Sequence, residues 1–394
     1  MTLRTCLDGL SLVFACDSFK GTISSARAAQ LLEASATRIL PGARCLGLTV
    51  ADGGEGTAVA LAQATGGRLV GACVTDPVGR HLKASYALLP YGQAVIEMAA
   101  ASGLTLVAGP ERDPLTTSTY GTGQLILDAL DRGARDITLA LGGSATNDGG
   151  MGMARALGAR LLDQDGCELE GRGADLARVA AIDASALDPR LGAASFHALC
   201  DVDNPLLGPR GATRVFGPQK GAGPEALNLL ESGMRAYAHL LAEVAGFDVS
   251  QVPGAGAAGG LGAASLAYLG ADLVPGIDRI LDLMAFDDLL AQADLVVTGE
   301  GHADGQSVHG KVVGGVGRRC RRAGVPCLAL VGGMSPDATA LLGLGVDALV
   351  PTVIDAGPLD EALGRAEENF SLAADRVFSL IRIGALLDDA EPGD

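Results

Sequence analysis

The chain has 394 residues, with 29 Lys and Arg against 46 Asp and Glu, a formal net charge of −17. That acidity argues against nucleic acid as the main partner, which needs a clustered basic face, and no apolar run reaches the roughly 18–20 residues that span a bilayer. Hydrophobic residues make up 48% of the chain and Gly numbers 57, so the sequence can bury a large core and is rich in backbone-lined loops.

In chain order, residues 11–15 read as a buried strand and 24–39 as a helix stopped by Pro41-Gly42. A second strand at 45–50 and a second helix at 55–64 follow. Residues 68–74, 82–88 and 93–98 are short strands close in sequence, a mixed or antiparallel pattern. Helical patterns follow at 121–132, 148–158, 224–245 and 258–270. Near the end come a strand at 293–298, a helix at 312–323, strands at 326–331 and 346–350, and a helical stretch from 360 to about 387. The βαβ alternation at both ends implies a parallel sheet covered on both faces. The sequence thus predicts an α/β protein: a split Rossmann-like parallel-sheet domain (1–75 and 290–394) with a second mixed α/β domain (76–289) inserted.

Aromatics are only 3% of the chain and Trp is absent, so stacking on bases or sugars is not expected to dominate binding. Residues 12–16 imitate a lipoprotein cleavage site, but Asp8 interrupts the apolar stretch, and secretion is not expected. The eight cysteines are scattered without a Cys-x-x-Cys pair, which argues against structural zinc and for reduced thiols in the cytoplasm. The histidines have no metal-ligand spacing, and no Gly-x-Ser-x-Gly elbow is present.

Two glycine patterns invite a motif reading. Residues 254–259 fit GxGxxG, with Asp272 downstream, but Pro253 precedes them and 248–252 make a poor strand, whereas a dinucleotide fingerprint needs a strand feeding the loop. A glycine-rich helix entry that packs closely, or presents amides from Gly256 and Gly259, is the preferred reading. Residues 305–311 fit GxxxxGK, but Val312 stands where a P-loop carries Ser or Thr, and the polar stretch 300–304 is expected to separate the pattern from its strand. Lys311 remains a candidate anion contact at the start of the next helix.

Five expected strand ends carry carboxylates among glycines: 17–21, 52–57, 142–150, 201–205 and 299–304. In open α/β sheets ligands bind outside the carboxyl ends of the strands. The residue types suit phosphate handling. Glycine amides such as that of Gly143, with the Ser144 and Thr146 hydroxyls, can ring phosphate oxygens. Asp17, Ser18, Asn147 and Asn204 lie in the same clusters and join them as candidate binding residues. Glu55, Glu300 and Asp304 are candidate magnesium ligands. Lys20, Lys220 and Lys311 can neutralise charge on a transferred group. Asp201, aimed by the Asn204-Pro205 turn, is the first choice of base for a substrate hydroxyl, and Asp52 the second. Any single cluster also has a plainer reading as a helix cap, Glu55 and Asp148 above all.

At these residues the sequence resembles the bacterial glycerate kinase family of the type that forms 2-phosphoglycerate. The matching stretches are DSFKGT (17–22), VADGGEGT (50–57), EMAAASGL (97–104), RDPLTTSTYGTGQLI (112–126), GGSATNDGGMGMARALGA (142–159), CDVDNPLLGPRGATRVFGPQKGA (200–222), VPGAGAAGGLGAA (252–264) and TGEGHADGQSVHGK (298–311). The resemblance implies a Rossmann-like domain made from both chain ends with a second α/β domain inserted. It also implies ATP-dependent phosphorylation of D-glycerate, with magnesium, in the cytoplasm. Neither glycine pattern is then a Rossmann fingerprint or a P-loop. Small molecules are the expected partners, with no nucleic acid and no membrane; a homodimer is compatible with the sequence. His302 stands where the family usually has Arg, which removes a permanent cation and its planar donor fork, and Val313 where Pro is common. Two other readings stay open: an NAD-dependent oxidoreductase using the 254–259 loop, and a sugar-acid-binding homologue weakened by His302.

Overall fold

The structure, a computed structural model, describes residues 9–19, 21–51, 53–54, 56–308, 311–355 and 357–388. In chain order the strands are β1 Ser11–Cys16, β2 Arg44–Thr49, β3 Arg68–Thr75, β4 His81–Leu89, β5 Gln93–Glu97, β6 Asp136–Ala140, β7 Arg160–Leu162, β8 Ala181–Asp183, β9 Ser195–Leu199, β10 Asp272–Val274, β11 Leu295–Ala303, β12 Cys327–Met334 and β13 Ala348–Pro351. The α-helices are α1 Ser25–Ile39, α2 Thr57–Thr65, α3 Ala99–Ser102, α4 Tyr120–Asp131, α5 Met151–Ala156, α6 Ala212–Phe216, α7 Pro224–Ala245, α8 Ala257–Leu269, α9 Gly276–Leu283, α10 Phe286–Leu290, α11 Val312–Ala323, α12 Leu359–Gly364 and α13 Ala366–Asp388. The chain forms two compact units, Met1–Asp52 with Ile277–Asp394, and Gly53–Gly276.

The first unit holds a parallel sheet in the order β13-β12-β11-β1-β2. Ser24 starts α1 by accepting the Arg27 N–H at 3.2 Å. Ala28, Leu32 and Ala36, spaced three to four apart, then put one face of α1 onto Leu12, Phe14 and Cys16 of β1 and onto α13. Gly47 of β2 lets α1 approach, because a Cβ there would lie 2.9 Å from the Ala29 methyl. The chain leaves β1 through α1 for β2 on one side of the sheet and leaves β11 through α11 for β12 on the other. The carboxyl ends of β1 and β11, which are adjacent, therefore flank a topological switch point, where α/β sheets open a crevice.

The second unit holds a mixed sheet in the order β10-β9-β6-β5-β4-β3. β3, β4 and β5 form an antiparallel meander; β5, β6, β9 and β10 run parallel. Its core joins Tyr86 and Ile96 of the sheet to Leu125 of α4, Met153 of α5, Tyr237 of α7 and Leu261 of α8.

Four details differ from the sequence reading. The division falls at 52/53 and 276/277 instead of near 75 and 290: β3 pairs along its whole length with β4, and Arg319 of α11 binds Asp282 of α9 and Asp287 of α10. β11 does not stop at 298 but continues to Ala303, its polar end held by pairing with β12 as far as Met334. α5 starts only at Met151, because Gly149 and Gly150 take φ of 62° and 75°. The closing helix is broken at Gly364-Arg365 into α12 and α13.

Candidate active site

In the first unit the strand ends enclose a cavity of about 500 Å³. Its polar wall comes from Asp17 and Ser18 after β1 and from Glu300, His302, Asp304 and Lys311 on β11 and the start of α11. The Asp17 N–H donates to the Gly299 carbonyl at 2.8 Å, which fixes the β1 exit against β11. Its Oδ1 accepts the Ser18 N–H at 2.6 Å. Glu300 is only 5% exposed, and its Oε1 is buried without a hydrogen-bond partner. Burial pushes its carboxyl above the ordinary glutamate value; Ser307 and Lys311 oppose the shift, while Asp17 and Asp304 add repulsion. Lys311 is the N-cap residue of α11. Its Nζ lies 3.8 Å from Glu300 Oε2 and 3.5 Å from Asp304 Oδ1. Despite some desolvation, the Gln306 amide and Lys311 hold Asp304 below the usual carboxylate range. His302 is exposed at the cavity wall.

β11 reaches Ala303, so the strand runs almost to Gly305, contrary to the expected separation. The GxxxxGK stretch is still no P-loop: Gly305–Val308 form a 3-10 turn, and Val312, which follows Lys311, is an apolar side chain with no exposure.

In the second unit the loop 142–150 is exposed at Gly142 and Gly143 and buried from Ser144 onward. Asp148 is fully buried and accepts four hydrogen bonds: from the Thr119 N–H and hydroxyl, both at 2.7 Å, and from the Gly150 and Gly152 amides at 3.0 and 3.2 Å. Burial raises its carboxyl and these four donors pull it back. Gly143 has φ +74°, and its carbonyl accepts the Leu104 N–H. Ser144 bridges to Gly103. The Asn147 amide donates to Thr213 Oγ1 at 3.0 Å, and Lys220 Nζ donates to the Thr146 carbonyl at 2.6 Å. Lys220 is 2% exposed, and burial lowers its ammonium to about 7 against the pull of Asp148. Thr146 Oγ1 and Asn147 Oδ1 are buried without partners.

The 254–259 loop packs into the same unit. A Cβ at Gly256 would lie 2.2 Å from the Pro205 carbonyl, and one at Gly259 2.1 Å from the Thr146 carbonyl. Gly259 has φ +68°, and its own carbonyl accepts the Gly149 N–H. No strand feeds this loop, so the dinucleotide reading fails on its structural requirement. Asp201, just past β9, is exposed, and its Oδ1 accepts the Gly276 N–H at 2.9 Å. The Asn204 amide donates to the Arg210 carbonyl at 2.7 Å.

The structure therefore brings Asp17, Ser18, Glu300, Asp304 and Lys311 to one cavity. It joins Thr146, Asn147, Lys220 and Gly259 in one buried framework, with Gly256 packed on the 204–205 turn. Lys20, Asp52 and Glu55 lie outside the described residues. No group of three or more metal-ligating side chains is present among the described residues, so Glu300 and Asp304 stand as a pair. Sequence reasoning missed Asn369 and Thr352, buried polar residues of the same cavity. Neither sits in a glycine cluster; the only local signal was an amide on a helix face otherwise occupied by Phe370, Ala373 and Ala374.

A sequence profile of the Glycerate kinase family matches residues 12–382. The chain belongs to the glycerate kinase family. The glycerate kinase of Bacillus subtilis (strain 168) is 45% identical over 375 residues, 95% of this chain and 98% of that one. The glycerate 2-kinase of Escherichia coli (strain K12) is 43% identical over 376 residues, 95% and 99% of the two chains. A solved glycerate kinase 2 structure from Salmonella typhimurium LT2 superposes with a TM-score of 0.86 at 44% identity, covering 96% of this chain and 99% of that one. Family membership makes this chain an enzyme, and it supports neither an oxidoreductase nor a mere binding protein. No helix among the described residues is long and apolar enough to cross a membrane.

Proposed function

We propose that this chain transfers the γ-phosphoryl group of ATP to the 2-hydroxyl of D-glycerate, giving 2-phosphoglycerate and ADP. The observation that carries the reading is the switch-point cavity, with Lys311 beside Glu300 and Asp304, in a chain that matches glycerate kinases along nearly its whole length.

The roles follow from the chemistry of each group. Lys311, Ser18 and the first amides of α11 receive phosphate oxygens, since a helix N-terminus favours anions. Glu300, with its buried and unpartnered Oε1, and Asp304 fit a magnesium ion, which commonly takes one or two carboxylates and fills its other positions with water and phosphate; Asp17 adds negative charge beside them, and Glu55 is a further candidate. Bound magnesium offsets charge on the phosphate oxygens. Lys20 neutralises charge on the transferring group. Asp201, with Asp52 as second choice, accepts the proton of the 2-hydroxyl as its oxygen bonds to phosphorus and the bridging oxygen leaves with ADP. Gly143, Ser144, Thr146, Asn147 and Asn204 form the hydroxy-acid loops, and Lys220, Gly256 and Gly259 hold those loops in shape. The described cysteines are all free thiols, which supports a reducing cytoplasm.

The test is ADP release with MgATP and D-glycerate, with the phosphorylated carbon identified by NMR. Asp201→Asn should lower turnover by about 10²–10⁴-fold, the usual scale for loss of a general base, and leave thermal unfolding unchanged. No ADP release above background from folded parent protein refutes the activity. Near-parental turnover in Asp201→Asn refutes the assignment of the base.

A further inference from the structure

The cavity of the first unit is chemically two-ended. Asp17, Glu300, Asp304 and Lys311 make it ionic at the tips of β1 and β11. Beyond the tip of β13 the wall changes to Val353, Leu359 and Leu363, with Phe19 and Ile23 completing it from the β1 exit. Val353, Leu359 and Leu363 are 46%, 72% and 44% exposed, so apolar surface lines an open recess instead of closing on itself. Phe19 is held rigidly, edge to face on Phe370 with centroids 5.2 Å apart.

Asn369 sits next to Phe370 in the wall of this recess. It is 7% exposed, yet its side-chain Oδ1 makes no hydrogen bond. Buried polar atoms are nearly always paired, and an orphan asks for a partner that the protein does not supply. At about 500 Å³ the cavity is of ordinary size for a small-molecule site. An ionic end for phosphates, apolar side chains for a base and one unpartnered amide in the wall match a purine nucleotide.

We infer that the apolar end of this cavity takes the adenine base of ATP and that the Asn369 amide reads its edge. This rests on the kinase reading above and adds to it the residue that selects the base. An amide pairs with the N7 edge of adenine in two hydrogen bonds: its oxygen accepts from the 6-amino group and its nitrogen donates to N7. Guanine and hypoxanthine carry an acceptor oxygen at position 6, so Asn369 Oδ1 would stay unpaired against them, which is where discrimination arises. Asn369 is thus a specificity residue for the donor, remote from the transferred phosphoryl group.

Asn369→Leu tests the assignment, because leucine keeps the branched skeleton of the side chain and removes both hydrogen-bonding groups. If Asn369 serves only the base, the variant should unfold at the parental temperature or above, since a buried orphan atom has been removed. Adenosine, which has no phosphates, should raise the unfolding temperature of the parent and not of the variant; inosine should raise neither. The KM for ATP should rise about tenfold or more, the preference for ATP over GTP should shrink by a similar factor, and kcat at saturating ATP and the KM for D-glycerate should stay near parental. Asn369→Gln should recover part of the adenosine response. Should Asn369→Leu fail to fold, Asn369→Ser carries the same expectations. Equal adenosine responses in parent and variant, or an unchanged KM for ATP, overturn the inference. The thermal measurement needs no turnover. A parent that binds adenosine but releases no ADP with D-glycerate refutes the acceptor and leaves the base site standing, whereas an active parent matched by its variant refutes the base site alone.

Discussion

Segments 299–304 and 142–150 look alike as sequence: each follows an apolar strand-like run, mixes glycine with carboxylates and leads toward a helix. Their physical roles differ. In the first, Glu300 keeps an unpartnered oxygen, and it, Asp304 and Lys311 line a cavity. In the second, Asp148 is fully buried under four donors and ties the loop to Thr119 and the start of α5. A carboxylate with both oxygens engaged by its own chain is a structural part, whereas one with an unpartnered oxygen beside a cavity is a candidate for a ligand. Composition cannot separate the two, because the donors that satisfy Asp148 come from Thr119, far away in sequence, as well as from its own loop.

The largest test of this contrast is Asp148→Ala. It strands several buried donors, so stability should fall by roughly 4 kcal/mol or more, read as a collapse of the unfolding midpoint in urea. A folded variant of near-parental stability would erase the distinction between the two loops. Lys311→Met should do the converse: unfolding unchanged, since the ion pairs of Lys311 among the described residues are long, at 3.5 and 3.8 Å, and turnover down by about 10²–10³, the scale for removing one charge-stabilising group. Turnover within a few-fold of the parent would remove Lys311 from the site.

Gly259→Ala comes next. A left-handed residue whose new methyl would meet the Thr146 carbonyl at 2.1 Å must push the two loops apart; a cost of about 2–3 kcal/mol is expected, the range for backbone strain, with its activity loss tracking its stability loss. A variant with parental stability but weakened nucleotide affinity would return this glycine to a binding role.

The smallest effect, over one pH unit, concerns Lys220. Its folded value near 7 lies below the ordinary lysine value of 10.5 because it is buried. Between these values the unfolded chain holds a proton that the folded chain lacks, so the parent should gain stability as pH rises from 7 toward 10.5, by up to roughly 1.4 kcal/mol per unit. Lys220→Met should not show this gain, so the difference between parent and variant should grow with pH. A flat difference would mean that Asp148 keeps the ammonium charged.

Much of the fold was legible because local patterns were consistent. Residues 24–39 carry a cap, an apolar stripe and a Pro-Gly stop, and α1 forms there. The alternation at 68–98 gives the β3-β4-β5 meander. The unit boundaries were less legible, since residues 53–75 have βα character suited to either sheet, and only the pairing of β3 with β4 decides. The ionic end of the cavity was legible because Asp17, Glu300, Asp304 and Lys311 sit in conspicuous glycine-rich stretches of sequence. Asn369 was not, because one asparagine in a long amphipathic helix has no local mark; its isolation appears only when α13 is packed against α1 and β12.

The sequence by itself determined the residue types, the helices and strands they favour, and the ordered motifs of the glycerate kinase family, because these rest on local sterics, periodicity and spacing. The tertiary structure decided which polar clusters were satisfied internally and which were left short of partners. That depends on donors, acceptors and burial contributed by segments distant in the chain: the Thr119 hydroxyl for Asp148, the Thr146 carbonyl for Lys220, and no partner at all for Glu300 Oε1 and Asn369 Oδ1.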